Sequence, residues 1–154
     1  MTAPSSGARR TLAELSIPSE PGNERRASEE VARAVSELGL PQRTLERLKT
    51  AVAEATKNAM EHGNRYDPEV PVKIQVWLLE ERLLVRIIDR GGSPPPSPNA
   101  QTPVLEAKLE GRQTPRGWGL FLIKNMVDEL RVSGNPDHHT VELVIHLKGE
   151  DDAG

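Results

Sequence analysis

The stretch EATKNAMEHGN (residues 54–64) places a carboxylate, an amide and an imidazole at intervals of four residues. Glu54, Asn58 and His62 therefore form one ridge if the segment is helical, because side chains four positions apart lie on the same face. The apolar residues beside this ridge recur at steps of three and four, as on the buried stripe of an amphipathic helix: Leu45, Leu48, Val52, Ala55 and Ala59. The stretch thus predicts a helix with a polar ridge next to its buried face.

This polar ridge has more than one interpretation. Charged, amide and imidazole groups on a helix ordinarily form a solvated face. A zinc site is poorly supported, because His62 and Glu54 have no further His or Cys ligands nearby. The amide oxygen of Asn58 would instead suit a hard cation such as Mg²⁺, and the carboxylate of Glu54 could orient or deprotonate a nucleophile.

Helical periodicity occurs in three segments. The first follows the Pro-Gly pair at 21–22 and ends at Gly39, the second runs from Pro41 through the ridge to a stop at Gly63, and the third is RGWGLFLIKNMVDEL (residues 116–130). The inward-facing residues predicted for the first and third helices are Val31, Val35, Leu38, Leu120, Ile123, Val127 and Leu130.

Apolar and polar residues alternate in the segments between these helices, which predicts strands. The strand segments are TLAELSI (11–17), VKIQVWLL (72–79), LLVRIID (83–89), LRVSG (130–134) and TVELVIHL (140–147), and a turn at Glu80, Glu81 and Arg82 joins the second to the third. Strands that follow one another without crossover helices favour antiparallel pairing. We therefore predict an α+β two-layer sandwich, with a mainly antiparallel mixed sheet and about three helices on one face.

Composition bounds the functional class. The net charge of −3, with Lys and Arg scattered among acidic residues, gives no basis for nucleic-acid binding. The chain has no cysteine, which excludes disulfides and thiolate metal sites and fits a reducing compartment. Because no apolar run approaches the roughly 18 residues of a membrane span and the first residues contain no hydrophobic signal region, we expect a cytoplasmic protein.

The 154 residues are most simply one domain. We expect residues 10–149 to fold, with disordered tails at 1–9 and 150–154. Six prolines fall between residues 91 and 115, so the segment 93–115 cannot be regular structure for long and is predicted to be a lid.

Two further motifs suggest ligand contacts. In DRGGS (89–93), Asp89 has the parity of the core-facing strand residues, where an unpaired carboxylate is costly and needs a partner. The motif is either an ordinary strand-end turn or a place where glycines let a flat ligand approach while Asp89 accepts a hydrogen bond, for example from an adenine amine. In RGWGLFLIKN (116–125), glycines at a helix start could bind an anion, aided by Arg116 and Lys124, or could form a simple N-cap. No Walker motif or dinucleotide fingerprint is present.

Taken together, the ExxxNAxxH helix, the DxGG turn after a hairpin, the proline-rich segment and the GxG helix resemble the Bergerat-type (GHKL) ATPase superfamily. The chain length and the NAMEHG form of the first motif are most similar to the small bacterial anti-sigma-factor serine/threonine kinases (RsbW-like). The resemblance covers roughly residues 12–147. It implies a Bergerat fold that binds ATP and Mg²⁺.

The resemblance also implies roles for individual residues. Glu54 matches the general base, Asn58 the Mg²⁺ ligand and Asp89 the adenine-binding aspartate, while His62 is expected to pack and cap the helix. The remaining expected ATP contacts are Gly91, Arg116, Gly117, Gly119 and Thr140. Two positions depart from the family pattern: Ser93 stands where a glycine is common, and His139-Thr140 replaces a Gly-Thr pair before the last strand.

The implied function is an ATP-dependent serine/threonine kinase that phosphorylates an anti-sigma-factor antagonist and sequesters a sigma factor in a partner switch, with homodimerisation possible. One alternative is a nucleotide-gated interaction module with little kinase turnover, which the altered motifs leave open. Another is a histidine-kinase catalytic fragment, which the lack of a separate helical domain disfavours.

Overall fold

The computed structural model of this protein describes residues 9–91, 115–135 and 137–147. The predicted tails therefore lie outside the described residues, except for Arg9, which begins the first strand. The predicted lid likewise lies outside them, except for Pro115, which begins a helix.

The described strands form one five-stranded antiparallel sheet in the order β1-β2-β3-β5-β4. The strands are β1 Arg9–Ile17, β2 Val72–Leu79, β3 Arg82–Asp89, β4 Glu129–Asn135 and β5 His138–His146. The predicted α+β class is confirmed, and no parallel pair occurs among the described strands. The last two strands form a hairpin, and β5 inserts between β3 and β4, so the ends of β3 and β5 are neighbours.

Three α-helices of the described chain pack on one face of this sheet: α1 Asn23–Ala34, α2 Gln42–Asn58 and α3 Pro115–Lys124. Helix α2 lies between α1 and α3 and contacts β3 and β5. The largest fully buried apolar side chains between the layers are Ile17, Leu48, Met60, Ile74, Leu83, Ile87, Ile123 and Leu143. Burying each such side chain contributes roughly 1.5–3 kcal/mol, so this layer fixes α2 over the sheet.

The opposite face of the sheet carries a smaller buried cluster around Trp77. The guanidinium carbons of Arg9 and Arg86 lie 3.9 and 4.7 Å from the centre of the Trp77 ring. Arg86 also donates two hydrogen bonds, of 2.9 and 2.6 Å, to Glu142 Oε2 on β5. These stacked cations cover the indole, and together with the Arg86–Glu142 pair they link the four neighbouring strands β1, β2, β3 and β5.

The predicted third helix is too long at its C-terminal end. Helix α3 ends at Lys124, and Leu130 belongs to β4, where it pairs with Leu143. The helix ends in hydrogen bonds of the 3₁₀ type, which join residues three apart: the Asn125 N–H donates to the Leu122 carbonyl and the Met126 N–H to the Ile123 carbonyl. Apolar spacing alone could not separate the end of this helix from the start of the strand.

The observed β2–β3 turn is one residue shorter than the predicted one. Leu79 pairs directly with Arg82, which leaves Glu80 and Glu81 as a two-residue loop. Glu80 adopts a φ of 50°, the left-handed conformation that such tight loops require.

Candidate functional site

Helix α2 continues past Asn58 as a π-helical turn, Ala59–Gly63. The predicted helix end at Gly63 is therefore right in position, but the last turn is wider than an α-helix. The turn is closed by the Asn64 N–H, which donates to the Ala59 carbonyl, and by the Tyr66 N–H, which donates to the Met60 carbonyl. π-Turns of this kind are frequent at functional sites.

The polar ridge of α2 meets the start of α3. Asn58 is 7% exposed, and Glu54 is half-buried one turn earlier. A methyl group in place of the Gly119 hydrogen would overlap Asn58 Nδ2 and lie 2.7 Å from Glu54 Oε2. The absence of a side chain at Gly119 thus lets α3 approach both Glu54 and Asn58.

Asp89 ends β3 with its carboxylate in the helix-facing layer, as its parity predicted, and is 3% exposed. The Gly91 N–H donates a 2.7 Å hydrogen bond to Asp89 Oδ1. A methyl group at Gly63 would overlap this carboxylate, so the π-turn packs directly against it. The DxGG turn and the end of α2 are therefore in contact.

These contacts bring the three motifs to one small cavity. Its lining residues come from α2 and the π-turn, from the end of β3, from α3 and from β5: Ala55, Asn58, Ala59, Asp89, Leu120, Ile123 and Val141. The predicted convergence of the Asn58 and Asp89 segments with the glycine-containing helix is thus present in the fold. Leu120 and Ile123 close the cavity from the α3 side.

Four other residues that the sequence singled out are not among the described residues that line this cavity: Thr140, Arg116, Gly117 and His62. Thr140 pairs with Ile88, so it lies on the sheet face opposite Asp89 and is half-buried. Arg116 and Gly117 fall in the first turn of α3, and their side-chain positions lie outside the described residues. His62 is half-buried, with Nε2 4.0 Å from Glu61 Oε1.

His139 is a site residue that the motif comparison missed. It pairs with Asp89 across β3 and β5, is 0% exposed, and places Nδ1 3.4 Å from Asp89 Oδ1. Its parity along β5 is that of Val141 and Leu143, which already indicated a core-facing side chain. The register of the strands therefore puts the His139 ring, and not Thr140, beside the aspartate.

Asn64 is a second missed residue, and it fixes the surroundings of the DxGG turn. Its Nδ2 donates to Ser19 Oγ at 3.1 Å and to the Val70 carbonyl at 3.0 Å, and its Oδ1 accepts a 2.8 Å bond from the Arg90 N–H. Asn64 is buried and thereby ties the end of the π-turn to the loops before α1 and β2 and to the residue after Asp89.

A metal at this site would need ligands beyond protein carboxylates and imidazoles. The described residues contain no group of three His, Cys, Asp or Glu side chains that could hold an ion. Asn58 supplies a buried amide beside Glu54, and its Nδ2 has no hydrogen-bond partner among those residues. One amide oxygen combined with phosphate oxygens and water is a typical Mg²⁺ environment, so the residues present fit a nucleotide-bound ion.

Comparison with known proteins identifies the family. A model of the histidine kinase-like ATPase domain matches residues 17–145. Serine-protein kinase RsbW of Bacillus subtilis is 32% identical over 117 residues, which are 75% of this chain and 72% of the relative. Anti-sigma F factor of Anoxybacillus flavithermus is 32% identical over 126 residues, covering 81% of this chain and 85% of the relative.

Solved structures share the fold at lower identity. The RsbU and RsbW domains of a Mycobacterium tuberculosis protein align with a TM-score of 0.63 and 18% identity over 88% of this chain, which corresponds to 32% of that longer chain. The SiaB–SiaC complex from Pseudomonas aeruginosa aligns with a TM-score of 0.62 and 15% identity, covering 88% of this chain and 90% of the other.

None of the described helices is long and apolar enough to cross a membrane.

The matched family model spans most of the chain and all of the convergent site. The chain therefore belongs to the histidine kinase-like ATPase domain family, in the group that includes RsbW-type serine-protein kinases and anti-sigma F factors.

Proposed function

We propose that this protein is an ATP-dependent serine/threonine kinase that phosphorylates an antagonist protein and also sequesters a sigma factor. The observation that carries the proposal is the cavity that Asn58 and Asp89 share with Leu120 and Ile123 of α3, with Glu54 one turn away on α2. Use of ATP follows from membership of the ATPase-domain family, and the paired names of the relatives support the two activities.

Asp89 supports the adenine end of the site. A carboxylate only accepts hydrogen bonds, and the exocyclic amine of adenine donates them. Asp89 is buried, so water would not compete for its carboxylate. A hydrogen bond between Asp89 and the base would therefore favour bases with an amine at the 6-position over bases with a carbonyl there. Gly63 and Gly91 bring their backbones close to the carboxylate, because a methyl group at either position would clash with it.

The phosphates and Mg²⁺ are assigned to the side of the site formed by Asn58 and α3; the cavity between Asn58 and Asp89 itself is only about 10 Å³. Asn58 would hold the ion through its amide oxygen, and the ion would offset negative charge on the phosphates when bound. The first N–H groups of α3, which include those of Arg116 and Gly117, have no partners within the helix and can bind phosphate oxygens. Because α3 lies against Asn58, nucleotide entry requires its start to move outward.

Glu54 is the proposed general base. The hydroxyl oxygen of the substrate serine or threonine attacks the γ-phosphorus and loses its proton to the Glu54 carboxylate. The bond between the γ-phosphorus and the β,γ-bridging oxygen breaks, and ADP leaves. Glu54 and Asn58 lie one helical turn apart on α2, which supports a base and a metal ligand on the same side of bound phosphates.

The antagonist and the sigma factor are assigned as partners on the basis of the relatives. One relative is named for serine-protein kinase activity and another as an anti-sigma factor, and a protein of the same fold occurs in the SiaB–SiaC complex. We place their contact surface on the exposed parts of α1 and on the lid segment.

The test is phosphoryl transfer from labelled ATP in the presence of Mg²⁺ to a panel of antagonist-domain proteins. Wild-type protein should label a serine or threonine, whereas Glu54→Ala and Glu54→Gln should lose about 10²- to 10⁴-fold in rate and keep nucleotide affinity. Glu46→Ala, which removes an exposed carboxylate from the same helix, is the matched control and should transfer normally.

Two outcomes would contradict parts of this proposal. Undiminished transfer by both Glu54 variants would refute the role of this carboxylate as base. Tight ATP binding without transfer to any antagonist, combined with nucleotide-dependent capture of a sigma factor, would replace the kinase by a nucleotide-gated interaction module.

A further inference from the structure

We propose that His139 is a positioning residue for the nucleobase: it orients Asp89 so that the site selects a base with an exocyclic amine. This inference rests on the proposed nucleotide site and assigns its base selectivity to a residue outside the three sequence motifs. It starts from the strand register, which pairs His139 with Asp89 on the helix-facing side of the sheet.

The His139 ring fills space that two glycines leave open. A methyl group at Gly91 would lie 2.8 Å from His139 Nδ1, and a methyl group at Gly134 on β4 would lie 3.2 Å from His139 Cδ2. Either contact is tighter than ordinary van der Waals packing. Two glycines on different segments thus make room for this ring beside the aspartate.

The ring nitrogens of His139 make the position chemically significant. Neither nitrogen has a hydrogen-bond partner within residues 9–91, 115–135 and 137–147, although the side chain is 0% exposed. A buried polar group without a partner destabilises the folded protein, so an imidazole here is unfavourable unless it acts on a neighbour or a ligand. A charged atom lies beside the ring: Asp89 Oδ1 is 3.4 Å from Nδ1.

That distance is slightly longer than a usual N–H···O bond, and a shift of a few tenths of an ångström would bring the two atoms within hydrogen-bond range. Because the carboxylate oxygen only accepts, Nδ1 must carry the hydrogen in the neutral ring, which leaves Nε2 as an acceptor. Oδ1 would then be held from two sides, by the Gly91 N–H and by His139 Nδ1–H. Fixing Oδ1 fixes the plane of the carboxylate that faces the base.

The selectivity follows from this orientation. An aspartate held in one plane accepts from an amine at the adenine 6-position and repels a carbonyl oxygen at the same place. A carboxylate held only by the Gly91 N–H discriminates less, because it can still turn about that one bond and away from the carbonyl. His139 should therefore affect the preference for an amine-bearing base more than the binding of nucleotides in general.

The experiment compares ADP with inosine diphosphate, which carries a carbonyl where ADP has the amine, by calorimetry on the full chain. In His139→Leu, ADP affinity should fall about ten- to hundredfold while inosine diphosphate affinity changes little, so the ratio of the two collapses. His139→Asn, which places an amide N–H close to the Nδ1 position, should restore most of the ratio.

His138→Leu is the matched control. It makes the same substitution at the neighbouring residue, which is exposed and has the opposite parity on β5, and it should leave both affinities unchanged. The nitrogen chemical shifts of the wild-type His139 ring give a second measurement that needs no variant. They should report the Nδ1–H tautomer and should move more with ADP than with inosine diphosphate.

The outcomes separate this inference from the proposed function. An unchanged ratio in His139→Leu, equal loss of both nucleotides in a folded variant, or an Nε2–H tautomer in the wild type would each overturn the role of His139. Failure of the wild-type protein to bind ADP would instead overturn the nucleotide site itself.

Discussion

Replacement of Asn64 by alanine should lower both the stability of the protein and the order of the turn after Asp89. The Asn64 side chain makes three hydrogen bonds: to Ser19 Oγ, to the Val70 carbonyl and from the Arg90 N–H. At a net 0.5–1.5 kcal/mol each, their sum is about 1.5–4.5 kcal/mol. The loss of stability within this range depends on whether the three former partners of Asn64 find other hydrogen bonds in the variant.

Two of the former partners keep other contacts or reach solvent. The Val70 carbonyl still accepts a 2.6 Å bond from Ser19 Oγ, and Arg90 is an exposed residue, so we expect water to replace Asn64 Oδ1 at its N–H. We therefore expect a loss of about 2–3 kcal/mol in the free energy of unfolding. For a chain of this length, that loss lowers the melting temperature by roughly 4–12 °C.

The assay is urea unfolding followed by circular dichroism, with thermal unfolding as a second measurement. Asn125→Ala is the control, because Asn125 is exposed and its side chain makes a single bond to the Phe121 carbonyl; its effect should stay within about 0.5 kcal/mol. If Asn64→Ala were no more destabilising than this control, the structural role assigned to Asn64 would be refuted.

Two further predictions concern Gly63 and Glu129. Gly63→Ala places a methyl group on the Asp89 carboxylate and should weaken ADP binding at least tenfold in calorimetry; normal affinity in a folded variant would contradict the packing of the π-turn against Asp89. Hydrogen bonds from His146, and then from Arg131, hold the pKa of Glu129 below its ordinary value of 4.5. Its stabilising contribution is therefore complete above that value and is lost as the pH falls through the lower folded-state pKa. Glu129→Gln should flatten this acid-side loss in urea unfolding between about pH 6 and pH 3, and an unchanged slope would contradict the assignment.

The layer architecture could be predicted from the sequence because it depends on local periodicity. The alternation in β2 and β3 determined which residues face the helices, and it correctly placed Asp89 in the core layer. The stripe on α2 was equally clear. Both signals need only the spacing of apolar residues within one segment.

The end of α3 could not be predicted in this way. Val127 and Leu130 continue the helical spacing, yet Leu130 is packed as a strand residue opposite Leu143. Tertiary pairing decides between two local patterns that fit the same residues. The π-turn at Ala59–Gly63 also depends on tertiary contact, because only the fold reveals that Gly63 lies against Asp89.

The candidate site was predicted in part. The convergence of the segments that carry Asn58, Asp89 and Gly119 agrees with the structure, whereas the roles assigned to these residues stay predictions. Thr140 was chosen by matching a motif, and the register shows His139 beside the aspartate instead. The alternation along β5 indicates that His139 faces the core. Only the pairing of β5 with β3 shows that its neighbour there is Asp89.

The central claim is that Asp89 and the segments around it hold the base of a nucleotide, and ADP titration of the Asp89→Asn variant tests it most directly. Asn is nearly the same size but cannot offer two acceptor oxygens. We predict binding weaker by about ten- to hundredfold or more, with an unfolding temperature close to that of the wild type. ADP affinity equal to that of the wild-type protein would contradict the claim.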